Sequence, residues 1–283
     1  MRARRSALGR VFRWTRVRSV WNAYSRPPLR ALSRAFRALW AAPPAIQVLV
    51  VVVVILVLWA AANWIVQAVR KPTELFFPVS GALHKAPAET WRQYAPLFHA
   101  HSTAVITPEL LAALAQVEGA GNPVARTYWR WQLTWNPFEL YRPASSAVGM
   151  YQITDAAFRE AKRTCIHDHA VVEDGPWYDL DSCWFNGLYT RVFPSHAVEM
   201  TAAFLDRRVA NTLARRQIAA ATLQQKQDLA AVIHLCGAGQ GDAYARRGFT
   251  LTAGQRCGTH GIGSHLAQVN AMKRQFLRLA AAG

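Results

Sequence analysis

The sequence predicts a mainly α-helical domain that follows one membrane-spanning helix. Three observations support this fold class: an uncharged apolar run near the N-terminus, helix-start signals through the rest of the chain, and little strand-like alternation. We divide the 283 residues into a basic tail (1–44), the span (45–69), a linker (70–87) and one domain (88–283). The last segment is long enough to bury a core of its own.

Positive charge is concentrated in the tail. Residues 1–40 contain eleven arginines and no acidic residue, and subtracting these charges from the formal net charge of +17 leaves +6 for residues 41–283. We therefore expect the tail to lie on anionic lipid headgroups. Binding of the tail to nucleic acid or to a cytosolic partner is the alternative, and we predict no nucleic-acid partner for the domain.

The span is predicted from 21 uncharged residues between Ile46 and Val66. A run of about 20 apolar residues crosses the hydrocarbon core as a helix. The arginine excess before it places the N-terminus in the cytoplasm and the domain outside. A signal peptide cleaved near Ala60–Ala62 is the alternative, but the leader and the apolar run are both longer than usual. Tryptophans, which favour membrane interfaces, lie near its ends: Trp40, Trp59 and Trp64.

Four cysteines follow the span. An even number in an oxidising compartment predicts two disulfides, with three pairings open. The pairing closest in sequence joins Cys165 to Cys183 and Cys236 to Cys257. A zinc site at Cys165-Ile-His-Asp-His169 is the alternative, but no second ligand pair matches it, so we predict no metal.

Five helices are predicted in the domain from their start signals: Thr107-Pro108 (to about Glu118), Thr154-Asp155 (to about Arg163), Ser195, Thr222 with Gln225 (to about Cys236), and Ser264 (to about Leu279). The stretch 119–145 is predicted to be irregular and is rich in aromatic residues. Its tryptophans either form a platform for sugar rings or belong to the core, and both interpretations stay open. The platform candidates are Trp129, Trp131 and Trp135.

Glu118 is the candidate catalytic acid. Leu111, Leu114 and Glu118 lie on one helix face, so the carboxylate ends a core-facing stripe. Burial and the negative end of the helix dipole both raise the pKa of such a carboxyl. A protonated carboxyl can donate its proton to a glycosidic oxygen. The alternative is that Glu118 only ends a surface helix.

Residues from Thr107 to Arg163 resemble the catalytic module of the soluble lytic transglycosylase family, which has a goose-type lysozyme-like fold. Glu118 matches the family's acid/base. Gly149-Met-Tyr-Gln-Ile153 matches its second motif, with Tyr151 in place of Met. The resemblance implies that this motif lines a sugar cleft. We assign substrate binding to Ser146, Gly149, Met150, Tyr151, Gln152 and Tyr244.

The chain departs from the family pattern in three places. Gly119 stands where the family has Ser, and the gap of 34 residues between Glu118 and Gln152 is longer than usual. The family's late Ala-Tyr-Asn-Ala-Gly motif appears only as His234-Leu-Cys-Gly-Ala-Gly239. Tyr244 is our candidate for the missing tyrosine, and we interpret His234 as a packed helix residue.

The resemblance implies an enzyme that uses one Glu and no cofactor. It would cleave peptidoglycan between N-acetylmuramic acid and N-acetylglucosamine and form a 1,6-anhydro product. We expect it in the bacterial inner membrane with the domain in the periplasm, in contact with glycan strands and with envelope or secretion-machine proteins.

Two alternatives stay open. One is lysozyme-type hydrolysis of the same bond, with Asp155 or Glu139 as the base for water. The other is a non-catalytic glycan-binding module of an envelope-spanning machine.

Overall fold

The computed structural model describes residues 37–176, 178–179 and 181–282. The chain divides into two compact units, Met1–Ala62 and Asn63–Gly283. Most of the arginine tail lies outside the described residues, so its contact with lipid stays a prediction.

The first long helix, α1 (Pro44–Arg70), covers the predicted span. Among the described residues it is the one helix that is long and apolar enough to cross a membrane. The side chains from Val51 to Leu58 are all exposed, as expected of residues that have no protein partner to pack against. Length and composition alone support the span.

The second unit is mainly helical, as predicted. After α1 its α-helices are α2 (Phe77–Ser80), α3 (Pro87–Ala100), α4 (Pro108–Gly119), α5 (Asp155–Ala161), α6 (Pro194–Arg215), α7 (Leu223–Cys236), α8 (Ala238–Arg246) and α9 (Ile262–Ala282). Short 3₁₀ turns cover Pro72–Phe76, Gly81–Leu83 and Trp184–Leu188. The segment predicted as a linker thus has its own helical turns, and its Glu74 is fully buried.

Three helix starts have the predicted capping bonds, whereas α6 begins at Pro194 and α9 at Ile262, before the predicted starts Ser195 and Ser264. The Thr107 hydroxyl accepts a hydrogen bond from the backbone N–H of Leu110 at the start of α4. Thr154 does the same for α5. Thr222 and Gln225 form the predicted capping box before α7, which ends at Cys236 as expected.

Helix α4 lies in the hydrophobic core. Its residues Leu110 to Ala115 are all buried, and the helix packs mainly against α3 and α9. Burial of large aliphatic and aromatic side chains is the main stabilising contribution here. The largest fully buried side chains include Phe98, Leu111, Leu114, Tyr151, Met200, Leu229 and Phe276.

Three antiparallel hairpins complete the described fold. They pair β1 (Trp129–Trp131) with β2 (Tyr141–Pro143), β3 (Thr164–His167) with β4 (Ala170–Glu173), and β5 (Arg256–Cys257) with β6 (His260–Gly261). In the first, Trp129 pairs with Pro143 and Trp131 with Tyr141. Part of the stretch predicted to be irregular is therefore a hairpin.

One of the two predicted disulfides is present. Cys165 and Cys183 are bonded, with their Cα atoms 5.5 Å apart. The second predicted bond is not formed: Cys236 and Cys257 are free thiols, although they lie within hydrogen-bonding reach of each other. Among the described residues, no group of three or more His, Cys, Asp or Glu is placed to hold a metal ion.

Candidate active site

Glu118 lies in the last turn of α4. Gly119 ends the helix, and Ala120 follows in the left-handed conformation with a φ of 49°. The backbone N–H of Ala120 donates to the Gln116 carbonyl, and that of Gly121 donates to the Ala115 carbonyl. This hydrogen-bonded stop turns the chain away directly after the carboxylate, as the sequence predicted.

The Glu118 carboxyl is only 16% exposed. Its Oε1 atom is buried and has no hydrogen-bond partner. Buried polar atoms in folded proteins are nearly always hydrogen-bonded, so an unpartnered carboxylate oxygen calls for an explanation, and a chemical role is one. The part of Glu118 as catalytic acid stays a prediction.

The second motif is held in a tight turn. Gly149 has a φ of 82°, and a Cβ there would come within 2.3 Å of the Arg191 carbonyl oxygen, so only glycine fits. Gln152 also has a positive φ, 47°. Its side-chain amide donates to the carbonyl oxygens of Ala125 (3.1 Å) and Gly149 (2.9 Å). The Gln152 amide therefore fixes the shape of this turn.

Direct backbone packing joins the two motifs. A Cβ on Gly119 would lie 2.7 Å from the Cα and 2.8 Å from the carbonyl oxygen of Met150. Because backbone atoms cannot move aside as a flexible side chain can, this position has no room for any side chain. The close packing explains why Gly119 replaces the serine that the resemblance leads one to expect.

Two histidines from distant helices face the free oxygen of Glu118. His265 Nε2, on α9, lies 3.6 Å from Glu118 Oε1, and His234 Nε2, on α7, lies 3.9 Å from the same atom. His265 Nε2 is itself buried without a hydrogen-bond partner. A third histidine, His260 on β6, is close enough to act on the pKa of Glu118. The segment His234–Gly239 thus places an imidazole beside Glu118.

Burial sets the protonation of this cluster. It raises the pKa of Glu118, and the positive charges of His265 and His260 oppose that rise only in part. Burial also lowers the pKa of His234 to about 4, against a backbone hydrogen bond with Tyr151. The pKa of His265 is lowered by burial too, with Glu118 acting in the opposite direction. All three groups are thus biased toward a neutral carboxyl beside neutral imidazoles.

The predicted substrate-binding residues have different placements. Met150 and Tyr151 are fully buried, and the Tyr151 hydroxyl has no hydrogen-bond partner. Tyr244 is buried on α8 with its ring edge-on to Phe249. Gln152 and His234 border a cavity of about 280 Å³. Their roles in binding substrate stay predictions.

Ser146 lies elsewhere. It borders a larger cavity of about 650 Å³ that also has Arg70, Arg142 and Arg191 in its wall. The Ser146 hydroxyl accepts a hydrogen bond from the backbone N–H of Asp155. The structure therefore brings Glu118, the Gly149–Ile153 turn and His234 together, and places Ser146 beside a second cavity.

The two alternative acids have arginine partners. Asp155 lies 2.8 Å from Arg191, and Glu139 lies 3.1 Å from Arg70 and 3.7 Å from Arg142. The arginine partners hold both carboxylates in place. The ion pairs therefore explain the presence of Asp155 and Glu139 without a catalytic role.

Sequence reasoning missed His260 and His265 and interpreted His234 as a packing residue only. No local pattern marks them, because α4 meets α7 and α9 only in the folded chain. No family model, curated protein or solved structure matches this chain.

Proposed function

We propose that this chain is a membrane-anchored lytic transglycosylase that cleaves peptidoglycan between N-acetylmuramic acid and N-acetylglucosamine. The observation that carries the proposal is the Glu118 carboxyl, which is largely buried at a helix end, has an unpartnered oxygen, and has a pKa raised by that burial. These are the properties of a general acid that holds its proton until a substrate oxygen arrives.

The reaction would proceed in two proton transfers through Glu118. Its carboxyl gives a proton to the glycosidic oxygen, and the bond from that oxygen to the muramyl C1 breaks with help from the substrate's acetamido group. The resulting carboxylate then takes the proton of the muramyl C6 hydroxyl as that oxygen attacks C1. The products are a free N-acetylglucosamine end and a 1,6-anhydro ring, and Glu118 regains its proton.

His265 and His234 act in this scheme as positioning residues. Both imidazoles face Oε1 of Glu118, at 3.6 and 3.9 Å. Because burial favours their neutral forms, they do not pull the carboxyl into an ion pair before the reaction begins.

A specific observation favours hydrolysis of the same bond as the second candidate. His265 Nε2 is buried and has no hydrogen-bond partner, and it lies 3.6 Å from the acid. A neutral imidazole in that position can accept a proton from a water molecule that attacks C1 in place of the C6 hydroxyl. The product would then be a reducing muramyl end.

The proposed location follows from α1 and the arginine tail. An uncharged helix from Pro44 to Arg70 is long enough to span a bilayer, and the arginines before it favour the cytoplasmic side for the N-terminus. The domain would then lie in the periplasm, where the glycan strands are. Envelope or secretion-machine proteins remain the expected partners.

Product analysis tests the proposal. The full chain in detergent or liposomes is incubated with purified sacculi, and the soluble fragments are examined by mass spectrometry. Anhydro-muropeptides are expected, and reducing muramyl ends would favour the hydrolase. Binding to sacculi without any fragment would favour the non-catalytic module.

A further inference from the structure

The β1–β2 hairpin presents an apolar tip to the surroundings. We call residues 131–138 the hairpin tip. Leu133 is 99% exposed and Trp135 104% exposed, while Trp131 on the last position of β1 is 68% exposed. Large apolar side chains exposed together usually mark a surface that meets a membrane or a partner.

The hairpin is firmly attached to the C-terminal turns of α1. The Asn63 side chain donates to the Tyr141 carbonyl (2.7 Å), and that of Gln67 donates to the Phe138 carbonyl (2.6 Å). Arg70 pairs with Glu139 at 3.1 Å. These bonds tie the hairpin tip and the strand after it to the last two turns of the helix.

Those turns are where the apolar run ends. Val66 is its last residue, and Arg70 and Lys71 follow one helical turn later. If α1 spans a bilayer, this change from apolar to basic residues lies at the lipid headgroups. A hairpin bonded to residues 63–70 is then at the same level.

Further apolar side chains are exposed close in sequence to the basic pair. They are Leu75, Phe76, Phe77 and Val79. On the hairpin itself, exposed Arg130 pairs across the strands with Arg142. Apolar and indole side chains together with arginines match an interface of acyl chains and anionic phosphates.

We propose that the hairpin tip inserts into the bilayer interface and serves as a second membrane anchor. It would fix the orientation of the Asn63–Gly283 unit on the membrane surface. This inference rests on the membrane span of the proposed function and is independent of the lytic reaction.

Lipid fits the tip better than a glycan strand. Sugars pack on flat aromatic faces, but Leu133, which has no such face, is as exposed as Trp135. Trp129, the aromatic residue at the base of the hairpin, donates its indole N–H to the buried Glu74 at 2.8 Å. The indole N–H of Trp129 is therefore already hydrogen-bonded within the protein.

Site-specific photocrosslinking tests the insertion. The full chain is reconstituted in liposomes of phosphatidylethanolamine and phosphatidylglycerol, with a benzophenone amino acid in place of Leu133, of Trp135, or of the control Leu277. Leu277 is an exposed leucine on α9, which borders a cavity near the start of α4. After irradiation, lipid adducts are expected at positions 133 and 135 and not at 277.

Each other outcome overturns the proposal in a distinguishable way. If the chain floats with the liposomes but forms no lipid adduct at position 133 or 135, the membrane span is supported and the second anchor is contradicted. Adducts with glycan fragments rather than lipid, when sacculi are added, would show a sugar platform instead. If the chain does not float with the liposomes, the result contradicts both the membrane span and the second anchor, whatever the sacculus assay shows.

Quenching by brominated lipids provides a measurement on a nearly native chain. The tryptophan fluorescence of the wild type is compared with that of Trp135→Leu, with Trp184→Leu as the control for removing an exposed indole from the 3₁₀ turn. A smaller quenched fraction in Trp135→Leu than in the wild type and the control supports insertion. Equal quenched fractions in all three proteins contradict it.

Discussion

Glu118 and Glu199 are both shielded glutamates beside histidines, yet their surroundings differ. Glu199 on α6 is 9% exposed and accepts hydrogen bonds with both oxygens, from the Ile166 backbone N–H at 3.1 Å and the Tyr189 hydroxyl at 2.8 Å. Its histidine, His101, lies 3.8 Å away. Glu118 has an oxygen with no such bond. Both oxygens of Glu199 are thus engaged in hydrogen bonds, whereas Oε1 of Glu118 is not.

The neighbours of the two carboxylates are alike in one respect and differ in another. Burial lowers the pKa of His101 beside Glu199, as it lowers the pKa of the two histidines that face Glu118. Burial and the hydrogen bond to Glu199 raise the pKa of the Tyr189 hydroxyl, so this donor keeps its proton. Oε1 of Glu118 has no hydroxyl donor of this kind.

The largest expected effect is the loss of turnover in Glu118→Gln. The amide keeps the shape of the side chain but has no acidic proton to give, and losing a general acid costs about 10²- to 10⁴-fold in rate. Release of muropeptides from sacculi measures the change. Glu109→Gln, in the first turn of the same helix, is the matched control and should retain full turnover.

Glu199→Gln should show the opposite pattern. Removing the charge weakens the hydrogen bonds from Ile166 and Tyr189, at a cost of about 1.5 to 3 kcal/mol in the free energy of unfolding. Turnover per folded molecule should stay at the wild-type level. Denaturant unfolding and the sacculus assay, performed on the same preparation, separate the two effects. If Glu199→Gln were as stable as the wild type but inactive, the two glutamates would not differ in the way described.

Gly119→Ser tests how closely the acid is packed against the second motif. A Cβ 2.7 Å from Met150 Cα forces the backbone of one motif to shift, and overpacking of this kind costs about 1 to 3 kcal/mol. Thermal unfolding measures the loss. Gly187→Ser, where a Cβ meets no atom within 4 Å, is the control. Unchanged stability in Gly119→Ser would mean that the two motifs are not in contact.

His265→Gln should shift the pH dependence of turnover. Glu118 must be protonated to act, so the rate falls as the pH rises through its pKa. Burial favours the neutral form of His265, but in the molecules where this imidazole is protonated its charge lowers the pKa of Glu118, so its removal should move the alkaline limb of the profile to higher pH. His84→Gln, an exposed histidine, should leave the limb in place. A shift to lower pH would contradict the electrostatic role given to His265.

Local signals account for what the sequence predicted well. The caps at Thr107 and Thr222 and the glycine stop after Glu118 depend on neighbours within one helical turn, and the structure confirms them. The first hairpin was missed because strands of three residues are too short to show alternation.

The surroundings of the acid depend on contacts between distant segments. His265 reaches Glu118 only because α9 packs against α4, and no sequence spacing encodes that contact. The hydrogen bonds of the Gln152 amide could not be predicted from the sequence either. They reach Ala125 and Gly149 because Gln152 lies in a turn with a positive φ. The sequence therefore predicts Glu118 as the candidate acid and the glycine turn after it, and the nearby histidines are visible only in the structure.

The central claim is that burial keeps the Glu118 carboxyl protonated above the ordinary glutamate range. Infrared difference spectra between the wild type and Glu118→Gln, recorded across pH, isolate the C=O band of this one carboxyl. We expect the band to titrate with a midpoint above 4.5, the ordinary value for this group, because burial raises the pKa of the carboxyl. A midpoint at or below 4.5 would show an ordinary, solvated carboxylate and would exclude Glu118 as a buried general acid.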